Sequence, residues 1–169
     1  MPEIPAIRMM TIATGQQGTW ETLRVMAALV RSATQNEIVT TFAFQLFESC
    51  ECTRCLNCVV ELIDMWTREH FAYMPDGDIE VINTPAYDIQ LIAENGRFDG
   101  DCDDVAVFVA ALFKSLGLQT RFVAIKTKPT ENFSHVYVET LAGDEWITVD
   151  PTVPYGTIHH HYGRMIQYA

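Results

Sequence analysis

Cys102 is the residue of this chain best suited to covalent chemistry, and it stands among carboxylates. The stretch Gly100–Asp104, GDCDD, leads directly into an apolar run from Val105 to Phe113. This pattern predicts a helix that begins beside Cys102, with the thiol in its first turn. The N–H groups of a helix N-terminus favour a thiolate and can also bind the oxyanion that forms on an attacked carbonyl. Because the carboxylates oppose the thiolate, a reactive Cys102 needs a positive partner.

His135 and Asp150 lie on two strand-like segments, FSHVYVETL and EWITVD. The turn at 142–144 predicts that these segments form a hairpin. A four-residue loop beginning at Leu141 places His135 opposite Asp150, whereas a two-residue loop places them on a diagonal. Both registers bring an imidazole beside a carboxylate on one face of the sheet. A carboxylate there fixes the tautomer of the ring, so Cys102, His135 and Asp150 are candidates for nucleophile, base and orienting group.

Four further cysteines form a group with the spacing C-x-C-x2-C-x2-C. Their thiolates predict a structural zinc site, although ordinary zinc sites take two pairs of ligands from separated segments. Iron–sulfur clusters share part of the spacing, but the proline that usually follows is absent. Reduced cysteines without a ligand and disulfides are the alternatives. The group consists of Cys50, Cys52, Cys55 and Cys58.

The aspartates around Cys102 have two interpretations. Asp101 is placed to cap the helix, while Asp103 and Asp104 in the first turn favour the helix dipole. Carboxylate oxygens also suit calcium, so the same three side chains are a candidate calcium site. The tract His159–His161 is a further candidate for metal contact, with an exposed polar tail as the preferred interpretation. The chemistry predicted at Cys102 requires no cofactor.

The composition argues against some classes of partner. The 169-residue chain carries 22 acidic side chains and only 11 lysines and arginines, for a net charge of −11. A protein that binds nucleic acid or anionic membranes would present a basic surface, so neither partner is expected. The first residues lack the apolar core of a signal peptide, and the longest apolar run is too short to cross a bilayer. We therefore expect a cytoplasmic protein with reduced cysteines.

The predicted elements come in the order helices first and antiparallel strands last. Helices are expected from Thr19, from about Asn36 to Phe47, and after Cys55. Turn signals predict an irregular segment with short strands from Met74 to Gly100, and the helix at Cys102 follows it. Three strand-like runs come next, TRFVAIKT, FSHVYVETL and EWITVD. This order is typical of an α+β fold, with helices first and an antiparallel sheet in the C-terminal part.

The length of the chain fits one domain. We divide it into a helical part with the cysteine group (1–70), a core with the three candidate catalytic residues (71–152) and a C-terminal extension (153–169). The chain contains no internal repeat that would predict a solenoid.

Three segments, GDCDD, SHVYV and WITVDPT, resemble the transglutaminase-like superfamily and carry Cys102, His135 and Asp150. The preceding HFAYMPDGDIEVINTPAYDI is similar to the lead-in of small members. The resemblance implies a papain-like fold, in which the helix bearing the nucleophile packs on a C-terminal antiparallel sheet. It also implies Cys102 as nucleophile, His135 as general base and acid, and Asp150 as the residue that orients the histidine. More loosely, GQQGTWETLRVMAALVR resembles the N-terminal helix of compact bacteriophage-encoded members. This second resemblance implies a phage origin and the host cytoplasm as location.

The resemblance also implies a reaction: a thiolate attacks an amide or ester carbonyl, forms a thioester and expels an amine that His135 protonates. Water as second nucleophile makes the protein a peptidase or amidase, and a lysine amine makes it a cross-linking enzyme. Hydrolysis of a protein or peptide is favoured, because the chain is too small for the extra domains of the large cross-linking enzymes. The alternative is a catalytically silent binding or structural module, in which metal could join the helices. The oligomeric state is open.

The oxyanion of such a reaction needs two donors. The backbone N–H of Cys102 is the first candidate. Trp66, Tyr87 and Gln90 are each candidates for the second, and each is equally consistent with an ordinary core or loop residue.

Overall fold

The computed structural model describes residues 7–10, 15–52, 55–76 and 80–169, and the side chains of 7–10 and 80 lie outside this description. Among the described residues none of the helices is long and apolar enough to cross a membrane. The helices are α1 (Gly15–Ala33), α2 (Glu37–Ser49), α3 (Leu56–His70), α4 (Pro85–Asn95) and α5 (Cys102–Ser115). The strands are β1 (Ile7–Met10), β2 (Phe71–Tyr73), β3 (Glu80–Asn83), β4 (Phe98–Gly100), β5 (Thr120–Ile125), β6 (His135–Ala142), β7 (Glu145–Val149) and β8 (Arg164–Tyr168).

Helix α5 lies at the centre of the fold. It packs against α1, α2, α3 and α4 and against β5 and β6. Its residues from Val105 to Phe113 are at most 2% exposed, so the helix is buried on every side rather than along one stripe. A continuous apolar run suits a helix that is surrounded in this way. The predicted α+β fold, with this helix packed on a C-terminal antiparallel sheet, is confirmed.

The main sheet has four strands in the order β7-β6-β5-β8, all antiparallel. Val136 and Val138 of β6 join the core on the helix side, and Tyr137 joins a smaller cluster that includes Val123 and Ile125. This alternation is that of a strand between two covered faces. Residues on the two sides of β6 therefore have different surroundings.

The β6–β7 hairpin determines where His135 and Asp150 lie relative to each other. Ala142 pairs with Glu145, so the loop consists of Gly143 and Asp144, and Gly143 has a φ of +65°. A glycine adopts this left-handed conformation without the steric cost that a side chain imposes. The two-residue loop is thus the one observed, and it places His135 and Asp150 on a diagonal.

Two short strands bring a distant segment to the start of α5. Strand β2 pairs in parallel with β4, so that Tyr73 lies opposite Gly100. The backbone N–H of Met74 donates to the carbonyl of Gly100 at 2.7 Å and extends this pairing. Tyr73 therefore lies beside the chain where it enters the helix of Cys102.

Several boundaries differ from the sequence-based predictions. Helix α2 begins directly after Asn36, close to its predicted start. The side chain of Asn36 caps the helix by accepting a 2.9 Å bond from the N–H of Ile38. The predicted start of α1 at Thr19 is wrong, because its hydroxyl lies inside the helix and donates to the carbonyl of Gly15 at 3.3 Å. The glutamines before Thr19 favour helix but are polar, so they add nothing to the apolar periodicity from which the helix was predicted. The predicted start therefore lies one turn after the observed start.

Two elements were not predicted. Helix α4 occupies much of the segment expected to be irregular, with Pro85 in its first turn and Gly96 in a left-handed conformation at its end. These residues are also typical turn signals, which explains the misinterpretation. Strand β8 lies in the segment treated as a C-terminal extension and adds an edge to the main sheet next to β5.

Candidate active site

Cys102 is the first residue of α5, and the neighbouring aspartates form the cap of that helix. The side chain of Asp101 accepts from the N–H of Asp103 at 3.1 Å, and Asp104 accepts from the N–H of Asp101 at 3.0 Å. The second bond belongs to a capping box, in which the side chain of Asp101 also accepts from the backbone N–H of Asp104. The cap satisfies N–H groups that a helix start otherwise leaves free. The predicted capping role of Asp101 is confirmed.

Asp104 also joins the helix start to β3. Its Oδ1 accepts from the backbone N–H of Asn83 at 2.7 Å. Burial raises the pKa of Asp104 to about 7, although these backbone donors act in the opposite direction. Asp88 of α4 lies behind it, and burial together with the charge of Asp104 raises the pKa of Asp88 well above its usual value. The region behind Cys102 therefore carries less negative charge at neutral pH than the sequence indicates.

Position 100 requires glycine, because its backbone passes close to the side chain of Asp104 in this cap. A Cβ built at Gly100 would lie 2.6 Å from Cβ and 2.8 Å from Cγ of Asp104. Asp104 is buried and held by two backbone donors, so it has no room to move away. A side chain at position 100 is incompatible with the capping box.

His135 and Asp150 are in direct contact, as the hairpin predicted. Nε2 of His135 lies 2.6 Å from Oδ2 of Asp150. The other oxygen, Oδ1, accepts from the N–H of Thr152 at 3.1 Å and from its hydroxyl at 2.6 Å. Burial alone would raise the pKa of Asp150, but the bonds from His135 and Thr152 and the histidine's charge lower it below the ordinary value. Asp150 is therefore a carboxylate that accepts on both oxygens.

Arg68 of α3 holds the chain that carries Asp150. It donates to the backbone carbonyl of Asp150 at 2.7 Å and also to the carbonyl of Val153. Its Nε donates to Oδ1 of Asp64 at 2.8 Å, and both side chains of this ion pair are largely buried. Burial raises the pKa of Asp64, although the hydrogen bond and charge of Arg68 act against that rise. Sequence reasoning missed the role of Arg68, because the carbonyls of Asp150 and Val153 to which it donates lie more than 80 residues later in the chain.

His159 is a second histidine at Asp150. Its Nε2 lies 3.1 Å from Oδ2 of Asp150, and its ring stacks on Tyr137 with centroids 4.3 Å apart. Burial lowers the pKa of His159, and the nearby charge of Asp150 acts in the opposite direction. The preferred interpretation of the His159–His161 tract as an exposed tail is wrong for His159, whose side chain is only 10% exposed. It holds for His160 and His161, which are exposed.

Cys102 and His135 line one groove of about 440 Å³. Helix α1 forms another side of it through Thr19 and Thr22, and Asn132 closes the end. Trp66, Tyr87 and Gln90, the candidates for a second oxyanion donor, are not among the lining residues. Trp66 stacks on His70 at 3.8 Å within the helical part, and Gln90 donates to Glu94 at 2.8 Å.

Tyr73 is a polar side chain near Cys102 that the sequence did not single out. Its position opposite Gly100 places it at the start of α5. Burial raises the pKa of Tyr73, and the negative charges of Cys102, Asp101 and Asp103 add to the effect. Detecting it would have required the parallel β2–β4 pairing, which joins segments separated by a helix.

The candidate metal ligands are arranged as follows. Asp101, Asp103 and Asp104 offer oxygens within 4.8 Å of one another, and two of these carboxylates already serve the capping box. Cys55 and Cys58 form a disulfide, Cys52 is exposed, and Cys50 packs against the core. The disulfide takes two of the four thiolates of the predicted zinc set. Calcium at the aspartates and zinc at the reduced cysteines stay predictions.

Comparison with known proteins gives a family profile and several solved structures. A profile described as the transglutaminase-like superfamily matches residues 46–151, which include Cys102, His135 and Asp150. A presumed protease from Parabacteroides distasonis has a similar structure, with a TM-score of 0.51 and 12% identity over 76% of this chain and 26% of its own. This likeness shows a common fold. A comparison with curated proteins finds no match.

Two further structures give weaker likenesses. A presumed cysteine protease from Cytophaga hutchinsonii has a TM-score of 0.48 and 23% identity, over 68% of this chain and 36% of its own. A structure described as a TGase has a TM-score of 0.34 and 14% identity, over 89% of this chain and 37% of its own. The chain thus spans little more than a third, at most, of the solved structures it matches.

Proposed function

Because the chain belongs to the transglutaminase-like superfamily, we propose that it is a cysteine enzyme that cleaves amide bonds through a thioester on Cys102. The observation that carries this proposal is the 2.6 Å contact between His135 and Asp150, on a histidine that shares its groove with Cys102. A protein or peptide segment is the proposed substrate, because the groove lined by Cys102 and His135 is open to solvent rather than an enclosed cavity and can admit part of a larger molecule. The phage origin stays a prediction.

In the proposed mechanism each group has one task. His135 uses Nε2–H to donate to Asp150, which leaves Nδ1 to take the proton of the thiol. Sγ of Cys102 attacks the carbonyl carbon, and the backbone N–H of Cys102 at the start of α5 binds the oxyanion. His135 returns the proton to the leaving amine. Water then attacks the thioester after giving its proton to His135, and the carboxylic acid and free thiol are released.

The carboxylates around Cys102 oppose this chemistry less than their number indicates. Asp104 has a pKa of about 7, so near neutral pH a large part of it is uncharged. Asp150, which has a lowered pKa, keeps its charge and supports the imidazolium of His135. The negative charge is thus concentrated where it stabilises the positive partner of the thiolate.

Hydrolysis is favoured over amine transfer by the form of the groove. A transferase must keep water away from its thioester while it binds an amine, which requires a closed, apolar site. This groove is open to solvent rather than enclosed, and Thr19, Thr22 and Asn132 are among its lining residues, so water can reach it. The second candidate is a silent binding module, which is favoured by the burial of Asp103 and Asp104 within two residues of the thiol.

The pH dependence of Cys102 alkylation tests the proposal, with peptide mapping to distinguish it from the other cysteines. We expect alkylation well below the ordinary thiol pKa of about 8.5, and loss of this behaviour in His135→Ala. The matched control is His160→Ala, which changes an exposed histidine. Reaction only at alkaline pH in all three proteins would favour the silent module.

A second assay distinguishes hydrolysis from transfer. Unfolded casein is incubated with the protein in the presence and absence of a fluorescent primary amine. Hydrolysis predicts new carboxyl groups or ammonia and little fluorescence in the protein band. Incorporation of the amine as the main product would instead identify a transferase, and Cys102→Ala must abolish either product.

A further inference from the structure

Two imidazoles approach the same carboxylate oxygen from different elements. Oδ2 of Asp150 lies 2.6 Å from Nε2 of His135 on β6 and 3.1 Å from Nε2 of His159, which lies between β7 and β8. The three ligand atoms lie within 4.8 Å of one another. The superfamily profile ends before His159, so the family match does not account for this residue.

His159 is held in place without a hydrogen bond on its inner nitrogen. Its ring lies parallel to that of Tyr137 within 9°, which fixes its plane. Its Nε2 is buried, and no hydrogen bond of acceptable geometry satisfies it within the part of the chain that the structure describes. A buried polar atom without a hydrogen bond calls for an explanation, and a bound ion is one of the usual ones.

The donor set and its dimensions suit zinc. Two imidazole nitrogens and one carboxylate oxygen are ligands that zinc accepts, at bond lengths of about 2.0–2.2 Å. Tetrahedral geometry at these lengths separates the ligands by about 3.3 Å. The observed separations of 2.6 Å and 3.1 Å from Oδ2 would have to open by about 0.7 Å and about 0.2 Å to reach this distance. Oδ2 can move in this way because Thr152 holds the other oxygen.

The site also leaves room for a fourth ligand. His135, His159 and Thr152 line an open groove of about 340 Å³ that is distinct from the groove of Cys102 and Thr19. Water can occupy the remaining position of a metal from this side. Three protein ligands and one open position are typical of zinc that binds reversibly or reacts.

We propose that His135, Asp150 and His159 form a zinc site whose occupancy inhibits the enzyme. The inhibitory part of this proposal rests on the function proposed above. Zinc binds Nε2 of His135 only after that nitrogen has released its proton to solvent. The neutral ring then carries its one proton on Nδ1, so it has no lone pair left to accept the proton of Cys102. Zinc at Nε2 and proton transfer at Nδ1 thus require different tautomers of His135 and exclude each other.

Zinc titration calorimetry with the full chain tests the site directly. Wild type is compared with His159→Gln and with the matched control His161→Gln, which changes an exposed histidine of the same tract that does not line this groove. We expect His159→Gln to lose one class of sites or to weaken it at least about tenfold, and His161→Gln to bind as wild type does. The cysteine group is identical in all three proteins, so the difference reports the histidine. Equal zinc binding by wild type and His159→Gln would overturn the proposal.

The rate of Cys102 alkylation with and without zinc distinguishes the two proposals. Zinc should slow alkylation in wild type and far less in His159→Gln, and a chelator should restore the rate. A His159-dependent zinc site on a protein whose Cys102 never reacts would support the site and overturn the enzymatic function. A reactive Cys102 whose response to zinc is the same in both proteins would overturn the site and leave the function standing.

Discussion

Arg68 donates a hydrogen bond of 2.7 Å to the backbone carbonyl of Asp150, and this bond joins α3 to the residue that contacts His135. The guanidinium reaches that carbonyl while it is also paired with the buried Asp64. The position of Asp150 therefore depends on a helix that lies more than 80 residues earlier in the chain, by the separation of 82 between the two residues.

Arg68→Ala should destabilise the protein by about 3 kcal/mol, because it leaves the buried carboxylate of Asp64 without a partner. The free energy of unfolding in guanidinium chloride measures the effect. The control is Arg97→Ala, whose partner Asp99 is 40% exposed, and we expect a loss below about 1 kcal/mol there. Similar losses in both variants would show that the Asp64–Arg68 pair has no special weight.

Asp150→Asn should lower the rate of amide cleavage by roughly 10²- to 10⁴-fold, since an amide at this position favours the wrong tautomer of His135. Thr152→Val, which removes only the hydroxyl bond of 2.6 Å to Oδ1, should lower it by about tenfold. Steady-state kinetics measures both, and Cys102→Ala provides the background. An Asp150→Asn enzyme with the wild-type rate would remove Asp150 from the mechanism.

Asp104→Asn should remove a pH dependence of stability. Folded Asp104 keeps its proton up to about pH 7, whereas the unfolded carboxyl loses it near the ordinary pKa of 3.8. The folded state thus binds more protons between these values, and the contribution of Asp104 to stability falls as pH rises across this range.

Unfolding free energies at several pH values between 4 and 7 measure this effect as the difference between wild type and variant. The difference should change steadily across the range and become constant above it. Measurements with a chelator of calcium exclude a bound ion as the cause. A difference that does not vary with pH would contradict the raised pKa.

Gly100→Ala should cost about 1–3 kcal/mol of stability, because the new Cβ overlaps the side chain of Asp104. A double-mutant cycle with Asp104→Ala is the appropriate control, since shortening Asp104 removes most of the overlap. The two substitutions together should cost less than the sum of the single ones. Strict additivity would mean that the two side chains do not meet.

The local patterns around the three candidate residues predicted much of the site. The acidic motif at Asp101 predicted a helix start, and the strand pattern of FSHVYVETL and EWITVD predicted the hairpin, because both depend on neighbours in sequence. The catalytic roles of Cys102, His135 and Asp150 are still predictions. The contact between His135 and Asp150 could be predicted because both possible registers of the hairpin bring these two side chains together.

The remaining features of the site depend on distant contacts. Tyr73, Arg68 and His159 reach it through a parallel strand pair, a hydrogen bond to the carbonyl of Asp150 and a stacked ring, and none of these has a local pattern. The pKa of Asp104 is likewise a consequence of burial, which the charges in the sequence do not reveal. Helix α4 was missed for another reason, since its proline and glycine mark both turns and helix ends.

The groove has a consequence for how this protein can diversify. Its wall on α1 begins at Gly15 and includes Thr19 and Thr22, all of which precede the segment 46–151 that the superfamily shares. Asn132 and Ser134 of the same groove lie inside that segment, so one part of the groove wall belongs to the shared segment and the other does not. Under the proposed function, substitutions along this face of α1 should change which sequences are accepted while Cys102, His135 and Asp150 stay unaltered. Selectivity can then evolve in part independently of reactivity.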